Sequence, residues 1–467
     1  MKKLMTTACL FVVTIVAIVT FIAPTVFGQE KKTADVNPTP EAITARVDKL
    51  FAQWDKPDSP GCAVGVIRDG KLIYTRGYGL ANLEYNLPLT SKSVLDIGSV
   101  SKQFTATSIL LLAQQGKLSP DDDIRKYIPE IPAYTRPITI RQLLNHTSGI
   151  REYLALMDLA SPDFTGRIES ANALAIIARQ KETNFPPGDE SAYSNSGYFL
   201  LSVIVKRISG KTLREFAEVN IFAPLGMKNT HFHDAYRMIV PLRATGYSPA
   251  TKGFRIAMSD SDVTGAGGLY TTIEDLLLWD QNFYHKKVGG QALQDELHRV
   301  GVLTNGEKLT YASGIVVAEY RGLPMAMHGG AWAGYRSMLL RFPQQSFSIV
   351  CLCNRGSATP WNLAYRVADE YLGELMTARS AVPTGVMVTE VELKQRSGLY
   401  RNVRTPDLRR IDLIDGTLAI AVYGDWKLTA LDANRFIGTT AAGLYEVTFQ
   451  PDSPGGGADR ENGGKTR

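Results

Sequence analysis

Ser99 and Lys102 are the residues whose types and spacing point most directly to chemistry. They lie three positions apart in Asp96-Ile97-Gly98-Ser99-Val100-Ser101-Lys102-Gln103-Phe104, so on a helix their side chains share a face. A serine hydroxyl is a weak nucleophile until a base takes its proton, and a lysine amine can be that base only if desolvation lowers its pKa. Alone the tetrad is weak: Ser-x-x-Lys arises about once by chance in a chain this long, and a solvent-facing pair on an ordinary helix is the plain alternative. Two further stretches can complete a site. Tyr193-Ser194-Asn195 sets a phenol and an amide two residues apart, projecting the same way from extended or tight-loop backbone; the phenol could pass protons and the amide hold a carbonyl. Ahead of a strand, Ala326-Met327-His328-Gly329-Gly330-Ala331 carries glycines that let a ligand approach the backbone closely.

Other polar clusters read as structural. His231-Phe232-His233-Asp234 has no further ligands at the spacing of a zinc quartet. Asp121-Asp122-Asp123, between Pro120 and Pro129, reads as a solvated loop. His146, in Leu144-Asn145-His146-Thr147-Ser148-Gly149, reads as a structural histidine at the glycine-stopped end of a short helix. No metal and no other cofactor is expected.

The elements that must position these residues follow from periodicity. Gly98 and the small residues after it start a helix that continues through the apolar run Ile109 to Ala113, so it is mostly buried and supplies the desolvation Lys102 needs. An amphipathic helix over 41–54 comes first, then a hairpin, Cys62 to Ile67 and Leu72 to Tyr78, turning at Asp69-Gly70. An apolar helix runs from Phe199 to Val205. Strands are expected at Gly314 to Tyr320, Tyr335 to Phe342 and Phe347 to Cys353, the last apolar enough to be central, followed by a helix from Asn362 to Met376. From about Val391 to Gln450 alternating stretches (Ile411, Leu413; Leu418, Ile420; Tyr445, Val447, Phe449) read as a small antiparallel β unit, and 451–467 as a disordered tail.

Composition bounds the rest. The chain has 467 residues, 44% hydrophobic and 21% charged, enough for a full core in two to four domains. A net charge of +5 with no basic block interleaved with aromatics excludes nucleic acid as a partner. Lys2 and Lys3 precede an uncharged stretch from Met5 to Gly28: residues 1–28 read as an export signal to the periplasm or exterior, or, left uncleaved, as the chain's one membrane contact. Residues 29–40 are then a linker. Outside that segment stand Cys62, Cys351 and Cys353. The last two share a strand face, so that either one of them pairs with Cys62 or all three are buried thiols.

In order along the chain, Gly98-Ser99-Val100-Ser101-Lys102, Tyr193-Ser194-Asn195 and His328-Gly329-Gly330 resemble the three motifs of the serine β-lactamase and penicillin-binding superfamily. The branch is that of class C β-lactamases, D-alanyl-D-alanine carboxypeptidases, D-aminopeptidases and related esterases. The flanks Leu144 to Gly149, Pro224-Leu225-Gly226-Met227 and Gly265-Ala266-Gly267-Gly268-Leu269-Tyr270 are similar too, and the resemblance covers residues 41–378. It implies an α/β (α+β) fold: an antiparallel sheet flanked by helices, a helical lobe, and a site between them. It also implies roles: Ser99 attacks a carbonyl, Lys102 takes its proton, and Tyr193 is partner base and leaving-group acid. Asn195, His328, Gly329 and Gly330 bind substrate, and the backbone N–H groups of Ser99 and Ala331 form the oxyanion hole. The expected partner is a small-molecule or peptide substrate with an amide or ester bond, β-lactams and D-amino-acid peptides included. The alternative is a receptor-like domain that binds or acylates without turnover. One departure matters: His328 stands where many β-lactamases carry a lysine, and a histidine near neutral pH is at most partly charged, which weakens the case for penicillins. Residues 385–450 resemble the lipocalin-like β appendage of some relatives. No Gly-x-Ser-x-Gly elbow occurs, which sets aside an α/β-hydrolase.

Overall fold

The computed structural model describes residues 13–14, 39–160, 167–401, 408–421, 425–440 and 442–449. The remainder of the expected export signal and linker, and the expected tail at 451–467, lie outside these. The chain divides into two compact units, Val36–Thr377, and Ala378–Arg467 with Met1–Asp35.

The larger unit is built on six antiparallel strands: β1 (Cys62–Arg68), β2 (Lys71–Tyr78), β3 (Val316–Tyr320), β4 (Leu323–Trp332), β5 (Tyr335–Phe342) and β6 (Phe347–Cys353), in the order β3-β4-β5-β6-β1-β2. The apolar β6 is buried at all of its residues, as a strand covered on both faces must be. The helices around it include α1 (Pro40–Phe51), α2 (Lys102–Gln114), α3 (Ile140–Leu144), α4 (Asn195–Ser209), α5 (Ile273–His285) and α6 (Pro360–Leu372). Asp280 of α5 accepts from Arg341 and Ser348 on one sheet face. Met325, opposite in the pleat to its neighbour Ala326, which pairs with Arg341, meets Tyr365 of α6 on the other face. Helices α2, α3 and α4 form the lobe, with Phe104, Ile109, Leu143, Phe199 and Leu201 in one apolar core.

Local chemistry departs from the sequence reading at four points. Leu323–Trp332 is a ten-residue strand that was not expected, because Gly329 and Gly330 depress strand propensity. Helix α3 ends where His146 takes a left-handed φ of +59°, three residues before the expected glycine stop. Asn195 opens α4 rather than lying in extended or tight-loop backbone. Cys62 and Cys353 are register partners joined by a disulfide, so the three-thiol alternative fails, and among the described residues Cys351 is the free cysteine, buried.

The smaller unit is an antiparallel meander, as expected: Gly398–Arg401, Leu408–Ile414, Thr417–Ala421, Asp425–Ala430, Arg435–Thr440 and Gly443–Phe449, each paired with the next. Residues Val13–Thr14 pair with Thr448 and Phe449 at its end. Tyr400, Ile411, Leu418, Phe436 and Val447 fill its core. Among the described residues no helix is long and apolar enough to cross a membrane.

Candidate active site

The backbone around Ser99 is held from both sides. Leu95–Asp96 pair with Tyr270–Thr271, and Gly98 adopts φ +49°, a conformation glycine takes without strain. A Cβ at Gly98 would lie 2.7 Å from the Ala331 nitrogen, and one at Gly330 would lie 2.0 Å from the Ile97 oxygen. The two glycines therefore let the Ser99 turn and β4 close on each other. Strand β4 has room for this because β3 pairs only with Leu323 to Met327, which leaves the half from His328 to Trp332 an open edge on that side. Ser99 itself is partly exposed, in the single 3-10 turn Gly98–Ser101 that leads into α2.

Lys102 is fully buried. Its Nζ stands 2.9 Å from Ser99 Oγ, 2.9 Å from Asn195 Oδ1 and 2.6 Å from the Ala266 carbonyl oxygen. It also lies 4.7 Å from the Tyr193 ring centre and 5.5 Å from that of Tyr198. Burial pushes the amine down to about 7, with the Glu152 carboxylate pulling the other way. In the neutral form the amine has two N–H groups and one lone pair. The two amide-type oxygens can only accept, so they take the N–H groups and the lone pair is left for the Ser99 O–H. The arrangement can thus draw a proton from Ser99 while keeping the Asn195 amide oriented through its Oδ1.

An aromatic wall surrounds the amine. The His146 ring packs 4.3 Å from Tyr193 and 4.4 Å from Tyr311, centre to centre. His146 Nδ1 accepts the Ser194 N–H at 3.2 Å, so in the neutral ring Nε2 carries the hydrogen, and it is buried without a partner. Burial, Lys102 and His328 hold this ring well below the usual histidine range. His328 is likewise buried. Its Nδ1 donates to the Gly329 carbonyl at 2.6 Å, which fixes the neutral tautomer, and its Nε2 accepts the Tyr311 O–H at 2.9 Å. Burial and Lys102 lower it to about 3. Both nitrogens are thus spent within the protein, and even the partial charge expected of His328 is absent. Tyr193 is 45% exposed, at the mouth of this wall.

The structure therefore brings Ser99, Lys102, Tyr193, Asn195, His328, Gly330 and Ala331 into one neighbourhood, with Gly329 beside His328 on β4. His146, read as structural, lies in the wall of the site. Three participants went unread. Tyr311 carried no local signal. Ala266 acts through its carbonyl, and only its glycine-rich flank, Gly265 to Gly268, hinted at it. Glu152 accepts the Asn195 N–H at 2.5 Å and had no neighbour in sequence to mark it. His231 and His233 hydrogen-bond each other at 3.2 Å. Among the described residues the one group arranged as metal ligands are is Cys62, Cys351 and Cys353, two of them spent in the disulfide.

A family model described as Beta-lactamase matches residues 47–373. Penicillin-binding protein 4* of Bacillus subtilis (strain 168) is 28% identical over 321 residues, 65% of this chain and 70% of that protein. A D-aminopeptidase of Gluconobacter oxydans (strain 621H) is 28% identical over 319 residues; these are 68% of this chain and only 59% of that relative's own length. Among solved structures, the octameric penicillin-binding protein homologue from Pyrococcus abyssi superposes with a TM-score of 0.65 at 21% identity, over 88% of this chain and 96% of that one; at that identity the likeness concerns the fold.

Proposed function

The chain belongs to the Beta-lactamase family, and on that premise we propose that it is a serine hydrolase working through an acyl-enzyme at Ser99, exported from the cytoplasm, on amides or esters of small molecules and peptides. The observation that carries this reading is the buried Lys102 amine, lowered to about 7 and 2.9 Å from the Ser99 hydroxyl. Lys102 draws the Ser99 proton as Oγ attacks the carbonyl carbon, and the N–H groups of Ser99 and Ala331 receive the negative charge that develops on oxygen. Tyr193, stacked over the amine, relays the proton to the departing amine or alcohol. Asn195 holds the acyl chain. Water then repeats the sequence and frees Ser99.

Substrate preference follows from charge. His328 is neutral with both nitrogens engaged, so the third motif offers no cation for the carboxylate of a penicillin or a C-terminal D-alanine. D-Amino-acid amides, N-terminal D-residues of peptides, and esters fit better, and the D-aminopeptidase relative supports this choice. The Cys62–Cys353 disulfide suits an oxidising compartment and supports export. The test is mass spectrometry of Ser99 after treatment with a fluorophosphonate and with a penicillin. It is combined with turnover of nitrocefin, a D-amino-acid amide, a D-Ala-D-Ala peptide and a short-chain p-nitrophenyl ester, each against Ser99→Ala. An unlabelled Ser99 under both reagents would overturn the reading, and labelling without steady-state turnover on any substrate would point to a receptor-like protein.

A further inference from the structure

We propose that Ser101 and Asp96 are positioning residues that together aim the Ser99 N–H at the oxyanion; this rests on the reading of Ser99 as the acylated residue. Position 98 must be glycine, because it combines φ +49° with an approach to the Ala331 nitrogen that leaves no room for a Cβ. Glycine is also the residue that holds its dihedrals least, and the peptide it starts carries the Ser99 N–H. Two buried side chains remove that freedom. Asp96 Oδ1 accepts the Gly98 N–H at 2.8 Å, fixing the peptide plane before the glycine. Ser101 Oγ donates to the Gly98 carbonyl oxygen at 2.5 Å and accepts the Leu269 N–H at 3.1 Å, fixing the plane after it. With both planes tied, neither φ nor ψ of Gly98 is free.

The direction follows from the trans peptide, in which C=O and N–H point opposite ways. The Gly98 carbonyl is turned inward to Ser101, on the side of the Gly267–Leu269 loop, so the Ser99 N–H points away from that loop. Ser101 is fully buried and Asp96 nearly so. The groups facing Asp96 are the Gly98 N–H and, electrostatically, Tyr270 and Tyr335; neither Asp96 nor Ser101 reaches substrate, and each acts through the glycine between them.

The test compares Ser101→Thr with Ser101→Val, which share a shape and differ in the hydroxyl. Two quantities are read: the acylation rate constant at saturating p-nitrophenyl ester, separated from KM, and the affinity for a boronic acid whose tetrahedral adduct on Ser99 puts an oxygen where the oxyanion would form. Val should slow acylation and weaken the boronate together by about 10- to 100-fold with KM little changed, while Thr stays within about threefold; outright loss of an oxyanion donor costs about 100- to 1,000-fold. Equal behaviour of Thr and Val would overturn the proposal. Should the Val protein fail to fold by circular dichroism, Asp96→Asn, which keeps an acceptor, and Asp96→Ala, which does not, replace the pair. Asn should then keep boronate affinity and Ala lose it, and equality would again overturn the proposal. A wild-type protein unlabelled at Ser99 by fluorophosphonate would instead refute the acyl-enzyme reading beneath it.

Discussion

If Lys102 takes the Ser99 proton, acylation must follow the neutral fraction of its amine. With its pKa lowered from 10.5 to about 7, about half the molecules hold the free base at pH 7, against about one in three thousand for an ordinary lysine. The single-turnover rate with a p-nitrophenyl ester, measured by stopped flow from pH 5 to 10 at constant ionic strength, should therefore be level above about pH 8. It should fall about tenfold per pH unit below 7, to about one hundredth at pH 5. His328, lowered to about 3, titrates below the limb, and burial with the nearby Lys102 and His328 pushes His146 down from the ordinary histidine range. Asp96 competes, since burial raises its carboxyl to about 7, in the same window. Asp96→Asn separates the two: the limb should survive that substitution with its midpoint unmoved. A rate independent of pH between 5 and 8, one still rising above pH 9, or a limb that vanishes in Asp96→Asn would refute Lys102 as the base. Stability carries the matching sign. Between about 7 and 10.5 the unfolded chain binds the lysine proton and the folded one does not, so this group makes unfolding harder as pH rises through that window. Asp96 acts oppositely from 3.8 to about 7, where the folded state holds the extra proton.

Gly98→Ala should cost about 1–2 kcal/mol in left-handed strain alone and more from the contact with Ala331, lowering both the melting temperature and acylation; an unchanged acylation rate would show that the turn can relax. Tyr311→Phe leaves His328 Nε2 buried without its donor and should cost about 1–3 kcal/mol in urea unfolding, with a null result meaning that water replaces the phenol. Reducing the Cys62–Cys353 disulfide in denaturant and repeating the unfolding with reductant present should lower stability by about 2–5 kcal/mol, since the bond spans 291 positions; coincident curves would contradict this.

What could be read from the sequence was what is local. Ser99 and Lys102 meet because three residues along a helix is one turn, and the apolar run after them implied the burial that activates the amine. The order of strands in the sheet was partly hidden: glycines at 329 and 330 look like a loop. In fact both lie in β4, and Gly330 marks where that strand presses on Ile97, a contact 233 positions away and set only by the closed fold. Tyr311 and Glu152 were invisible for the same reason, each meeting the site through tertiary approach. The cysteine pairing waited on register, because Cys351 and Cys353 share a face and only the alignment of β6 with β1 decides which lies opposite Cys62. Asn195 was placed on the right face for the wrong backbone: with Ser194 extended before it, a helix start projects it much as a strand would.

The interior position of Lys102 also weighs on how this protein can change. An amine made to give up its proton strains the native state wherever solvent would keep it charged, so a methionine of similar length in its place should give a sturdier and inert molecule. Selection for heat tolerance alone would thus favour the loss of that nitrogen, and libraries built from this scaffold need a turnover screen beside the thermal one to keep it.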